Sequence, residues 1–153
     1  MRSFAECRTT ESGTEIFREE EGKSFGLRHN EYEIVCDIIA MDGCVFNTNG
    51  DGKRCDFLFL LDRRKQHYNY LPAAYSPAYY VELKGIALVK ACEQLLNSIE
   101  KTSDQIPEFD LNAIVVSSRA FVPKNDNNEY YREVKRIIRK NIQFEITPFT
   151  ISL

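Results

Sequence analysis

The chain reads as a single α/β domain with a mixed central β-sheet flanked by helices. Three observations predict this class. Its 153 residues match about one domain, long enough to bury a core without disulfide staples. It is 43% hydrophobic and 28% charged, an ordinary globular balance. Segments rich in β-branched residues precede two segments of helical period, giving the order strands, helix, strand, helix, strand.

Each element has its own signal. Glu15-Ile16-Phe17-Arg18 and Lys23-Ser24-Phe25-Gly26-Leu27-Arg28 suggest short strands or a hairpin around Glu19-Glu20-Glu21-Gly22, with a short N-terminal helix as the competing pattern. Tyr32 to Ala40 is rich in β-branched residues and ends at Met41-Asp42-Gly43, a turn signal, so a strand is expected there. Asn47-Thr48-Asn49-Gly50-Asp51-Gly52 carries the strongest turn chemistry, because Asn-Gly and Asp-Gly tolerate positive φ. It leads into a strand from Arg54 to Leu61. Asp62 to Ala78 is polar, aromatic and broken by Pro72 and Pro77, as in a long functional loop.

Tyr79 to Leu83 is the next expected strand, with a turn at Gly85. Ile86, Val89, Ala91, Cys92, Leu95, Leu96 and Ile99 recur at helical spacing and predict a helix from Ile86 to Lys101. Leu111 to Val116 reads as a buried strand and Pro123 to Asn128 as a loop with a cap. Glu129 to Asn141 reads as a basic amphipathic helix. Gln143 to Ser152 completes the set as an edge strand, because Pro148 interrupts it.

Composition narrows the function classes. A net charge of −3 argues against a passive nucleic-acid coat, which is usually basic. It does not argue against an enzyme that holds nucleic acid through a divalent cation. No apolar run approaches the roughly 20 residues of a membrane span, so no membrane partner is expected. The N-terminus has no secretory h-region, which makes a cytoplasmic location the default. Five cysteines without CxxC spacing, and only two histidines, supply a zinc site poorly. The cysteines are expected to pack as small core residues rather than as ligands or bridges.

The chemistry concentrates in Tyr80-Val81-Glu82-Leu83-Lys84-Gly85 and Cys55-Asp56-Phe57-Leu58. An ionised group costs several kcal/mol to bury alone, so charges in apolar strands are usually paired, metal-bound or catalytic. Residues two apart on a strand share a face, which groups Glu82 with Lys84 and turns Val81 and Leu83 the other way. If the two strands pair antiparallel, Asp56 falls beside Glu82. Two carboxylates and a carbonyl, here that of Leu83, suit Mg²⁺ with water and substrate phosphate. Lys84 would orient the attacking water or offset developing charge. The competing meaning is an exposed edge strand with a Glu–Lys cross-strand pair.

Asp56, the Glu82-x-Lys84 pair and Gln94 on the following helix resemble the PD-(D/E)XK nuclease superfamily, the restriction-endonuclease-like fold. The order from Tyr32 to Val116 resembles its αβββαβ core, with the helix and strand of 129–152 as additions. The resemblance implies that Asp56 and Glu82, with Leu83, hold Mg²⁺ or Mn²⁺. It implies that Lys84 supports the water and that Gln94, with Lys90, approaches the site or substrate. The expected catalytic set is thus Asp56, Glu82, Lys84 and Gln94. Two departures stand out. Cys55 replaces the family's proline before the Asp, and no upstream helical Glu is evident. Glu20, Glu31 and Glu33 are the candidates, with Glu31 and Glu33 preferred.

The resemblance therefore implies a Mg²⁺- or Mn²⁺-dependent endonuclease that hydrolyses DNA by metal-activated water, of restriction, repair or defence type. It would act as a homodimer or as a subunit of a larger complex. The alternatives are a non-catalytic interaction subunit of the same fold and an RNA endonuclease. Arg63, Arg64 and Lys65, interleaved with His67, Tyr68 and Tyr70, suit contacts to phosphates and bases. Lys90 and, on the last helix, Arg136 are further nucleic-acid candidates. Ser117-Ser118-Arg119 is a weaker phosphate candidate. For each basic segment the competing meaning is a solvated surface.

Overall fold

The computed structural model describes residues 1–47, 54–83, 87–119 and 128–153. The expected turn at Thr48–Gly52, the segment Lys84–Gly85–Ile86 and the loop from Pro123 to Asn127 lie outside the described residues. The described elements run in the order α1 (Phe4–Cys7), β1 (Arg8–Gly13), β2 (Glu15–Glu20), β3 (Lys23–Arg28), β4 (Ile34–Ala40), β5 (Phe57–Leu60), β6 (Pro77–Leu83), α2 (Leu88–Thr102), β7 (Asp110–Ser117), α3 (Glu129–Ile138), β8 (Gln143–Ile146) and β9 (Phe149–Ser152).

Six strands form the main sheet in the order β1-β4-β5-β6-β7-β8. The pairs from β1 to β6 are antiparallel, and β6, β7 and β8 run parallel. The parallel strands are joined through α2 and α3. The mixed sheet flanked by helices is therefore as expected. A second sheet, β2-β3-β9, packs on the opposite face.

The central strands are apolar on both sides because both sides are covered. Leu58, Leu60, Tyr80, Ala113 and Val115 meet Leu95, Ile99, Val134 and Ile138 of the helices. Their neighbours Phe59, Tyr79, Val81 and Ile114 meet Ile16, Phe25 and Leu27 of the small sheet. Every residue of β6 is buried. Gly26 of β3 lets the strands close up: a Cβ there would lie 3.0 Å from the Ile16 carbonyl oxygen.

Several boundaries differ from expectation; β6, for one, opens at Pro77, a residue expected in the loop. The segment Gln143 to Ser152 is two strands in two sheets, split at the cis Thr147–Pro148 bond. Proline lacks the N–H that a continuous ladder needs. Each half lies at the edge of its sheet, where proline is tolerated. α3 stops at Ile138 because Arg139 turns left-handed at φ 61° and donates its N–H to the Lys135 carbonyl at 2.8 Å. β1 and the short α1 carry no strong sequence signal.

The cysteine expectation is corrected in part. Cys36, Cys55 and Cys92 are free and buried, but Cys7 and Cys44 form a disulfide with Cα atoms 5.8 Å apart. β1 pairs with β4 from Arg8↔Ile39 onward, which carries Cys7 to the turn after β4. The two cysteines are 37 residues apart, so no local spacing announces the bridge.

The long loop after β5 is ordered by side chains. It opens with a 3₁₀ turn at Arg63–Lys65, capped by Asp62. The Gln66 amide then pairs with β4 like a ladder rung. Its Oε1 accepts the Val35 N–H at 2.9 Å, and its Nε2 donates to the Val35 carbonyl at 2.8 Å. No helix among the described residues is long and apolar enough to cross a membrane.

Candidate functional site

Asp56 and Glu82 occupy neighbouring backbone positions at the open end of the β5–β6 pair. The last paired residues there are Phe57 and Val81, so Asp56 and Glu82 stand one step further along adjacent strands. The Asp56 N–H donates to the Val81 carbonyl at 3.1 Å. Its carboxylate Oδ2 accepts the Leu83 N–H at 2.7 Å. Asp56 thus grips both residues that flank Glu82. Its own carbonyl accepts the Met41 N–H at 3.0 Å, which ties it to the end of β4 as well. Glu82 is only 1% exposed.

Cys55, next to Asp56 in the chain, senses both carboxylates. Burial pushes its thiol well above the ordinary range. A Ser98 hydroxyl contact opposes the shift, and the Glu82 and Asp56 charges add to it. The thiol is held protonated, so it packs as a core group and not as a nucleophile.

A further carboxyl approaches Asp56 from the small sheet. Glu20, at the end of β2, is surface-exposed, yet its carboxyl interacts with that of Asp56. Its carboxyl is pushed up to about 7, first by desolvation, then by the Asp56 charge and hydrogen bond, with smaller pushes from Asp42 and Glu21. A neighbouring carboxylate disfavours the ionised form, which is the sense of the Glu20 shift.

The preferred upstream acids, Glu31 and Glu33, are corrected. Both are exposed and precede Ile34, the first residue of β4. Asp56 adjoins the other end, where Ala40 pairs with Phe57. At about 3.3 Å per residue the two ends lie roughly 20 Å apart. Glu20 reaches Asp56 because the small sheet crosses that face, which its local sequence does not reveal.

Helix α2 supplies a polar stripe at four-residue spacing. The Gln94 Nε2 donates to the Arg54 carbonyl at 3.1 Å. The Ser98 hydroxyl accepts the Cys55 N–H at 2.9 Å, and Thr102 bonds the Tyr80 hydroxyl at 2.8 Å. Each group holds the backbone or side chain of β6 or of the approach to β5. Gln94 is therefore placed to position Asp56 through the backbone that leads into it. Its Oε1 is buried with no hydrogen-bond partner among the described residues. Lys90, one turn earlier, is exposed. Ser98 and Thr102 lie outside the set expected from sequence, although their spacing from Gln94 is legible there.

The basic candidates do not gather at these carboxylates. Arg63 and Arg64 follow β5, whereas Asp56 precedes it. Arg64 pairs with Asp62 at 3.1 Å and with Glu108 at 3.6 Å. Burial pushes Asp62 up, but hydrogen bonds and charge from Arg64 overcome this and hold its carboxyl below the ordinary range. Arg136 pairs with Glu133 on the exposed side of α3. The Ser117 hydroxyl is spent on the Arg119 carbonyl at 2.9 Å. Lys84 lies outside the described residues.

Among the described residues no three His, Cys, Asp or Glu side chains group to hold an ion. Mg²⁺ needs fewer, since it is usually held by one or two carboxylates plus water and phosphate oxygens. Asp56 and Glu82 are a donor set of that hard, anionic kind. The raised Glu20 carboxyl marks negative charge that a cation would relieve. No family model, no curated protein and no solved structure matches this chain.

Proposed function

We propose that the chain is a Mg²⁺- or Mn²⁺-dependent nuclease that hydrolyses DNA phosphodiester bonds on a restriction-endonuclease-like core. The observation that supports this reading is the bond from the Leu83 N–H to the Asp56 carboxylate, which ties Asp56 to the strand that carries the buried Glu82.

Asp56 and Glu82 would hold the cation, with the Leu83 carbonyl as a third donor. When bound, such an ion would lower the pKa of water and offset charge on the scissile phosphate. A cation held there would favour the ionised form of Glu20, whose carboxyl is pushed up to about 7 by desolvation and the Asp56 charge. Gln94 fixes the Arg54 carbonyl and with it the entry into β5. Lys84, expected two residues after Glu82, would orient the attacking water. Cutting both strands of a duplex needs two such sites, so the working form is a homodimer or part of a complex.

The test is cleavage of plasmid and single-stranded DNA with Mg²⁺ or Mn²⁺. Activity is expected in the wild type and absent in Glu82→Ala; equal cleavage by both rejects the reading. The alternative, a non-catalytic interaction subunit, is favoured by the net charge of −3. It predicts no Mn²⁺ binding heat that depends on Asp56 and Glu82.

A further inference from the structure

A second candidate site lies beyond the other end of β5. A cleft of about 180 Å³ is lined by Arg63, Gln66, His67, Tyr68, Asn69 and Leu71. Among the described residues no acid lines it. Of the three consecutive cations there, Arg64 is spent on Asp62 and Glu108, and Lys65 is spent on Asp37. Arg63 has no carboxylate partner among the described residues. Its Nη2 reaches only the Asn69 side-chain oxygen, at 3.4 Å, and its Nε is buried with no hydrogen-bond partner there. A buried donor left unsatisfied is costly, so an anionic acceptor in this cleft is favoured.

Aromatic rings stand next to that cation. Tyr68 stacks on Tyr32 at 4.7 Å between centroids and 13° between planes. Tyr32 stacks on His29 at 4.9 Å. Tyr68 is 49% exposed and Tyr32 37%. The ladder is held in place before any ligand arrives. His29 Nδ1 accepts the Glu31 and Tyr32 N–H groups, and the Tyr70 hydroxyl donates to the anchored Gln66 amide. Preorganisation of this kind lowers the entropic cost of binding.

We infer that this cleft binds single-stranded nucleic acid, with one base stacked on Tyr68 and an adjacent phosphate on Arg63. An exposed aromatic beside a cation is the usual platform for unpaired bases, since every base offers a π-face. The cleft is smaller than the roughly 300 Å³ at which pockets enclose a whole small molecule, so it seats one unit of a longer strand. Strand binding here is separate from the Asp56 chemistry and holds whether or not that centre cleaves anything.

The test is fluorescence anisotropy of a labelled oligothymidylate of about a dozen nucleotides, in EDTA so that no cleavage intervenes. Tyr68→Ala is expected to weaken binding about tenfold, and Tyr68→Phe to keep it. Arg63→Gln is expected to weaken binding and to reduce the salt slope by about 1. A duplex of equal length is expected to bind more weakly. Affinity unchanged in both Tyr68→Ala and Arg63→Gln overturns the inference. So does displacement of the probe by dTMP or inorganic phosphate at the concentration at which unlabelled strand displaces it. Because the readout is binding without metal, failure here is distinct from failure of the cleavage assay.

Discussion

The carboxylate of Asp56 accepts the backbone N–H of Leu83 at 2.7 Å, across two strands that approach from far apart in the chain. One side chain thus does what a ladder rung would do, at the point where the β5–β6 pairing ends. The charge of Asp56 and its hydrogen-bonding role can be separated by substitution. Asp56→Asn keeps an acceptor for Leu83 and is expected to melt close to the wild type. Asp56→Ala leaves the N–H unsatisfied and is expected to lose about 1–3 kcal/mol. At about 2–4 °C per kcal/mol for a chain of this size, a thermal melt resolves the two. Under the nuclease reading both variants lose Mn²⁺ binding, which calorimetry measures.

Glu20 predicts a pH dependence of known sign. Its folded pKa of about 7 lies above its ordinary 4.5, so the folded state holds the proton more tightly. The favourable contribution is complete below pH 4.5 and is lost as pH rises toward and through 7. Glu20→Gln is expected to flatten this part of the stability profile and to raise stability at about pH 8 relative to wild type. Urea titrations at several pH values check it. A variant profile parallel to that of the wild type would remove Glu20 from the cluster.

Asp37 is buried in β4 and bonded at 2.5 Å to both Thr10 and Lys65. Lys65 is 43% exposed, so water replaces part of its contribution. Lys65→Met is expected to cost about 1–2 kcal/mol, at the low end for a hydrogen bond to a charged group. Chemical denaturation measures it, and Asp37→Asn made together with Lys65→Met should recover part of the loss.

The Cys7–Cys44 bridge closes a long loop across β1 and β4. Chain-entropy arguments put the stabilisation at about 4 kcal/mol for a loop of this length. Cys7→Ser, or treatment with a dithiol, is expected to lower the melting temperature. Reductant should leave the melting of Cys7→Ser itself unchanged.

The local pattern carries much of this molecule. The apolar runs at Leu58–Leu61 and Tyr79–Leu83, the second broken by Glu82, announce strands covered on both faces. Helical spacing from Val89 to Ile99 locates α2 within one or two residues, and Glu-Gly at the β2–β3 connection marks a turn. Asp56 and Glu82 stand out because charge in such runs is expensive. All of this depends on neighbours within a few positions along the chain.

The remainder depends on layers. Glu20 meets Asp56 only because a second sheet folds over the first. β8 and β9 part company because the ring of Pro148 breaks one ladder while two separate edges stand ready to receive the halves. Arg63 remains without an acid partner among the described residues while Arg64 and Lys65 find theirs, a difference set by which carboxylates the packed loop brings near. Side-chain type and short-range period are properties of the sequence itself. Partnership between distant side chains is set by the three-dimensional path of the backbone, which local propensity does not encode.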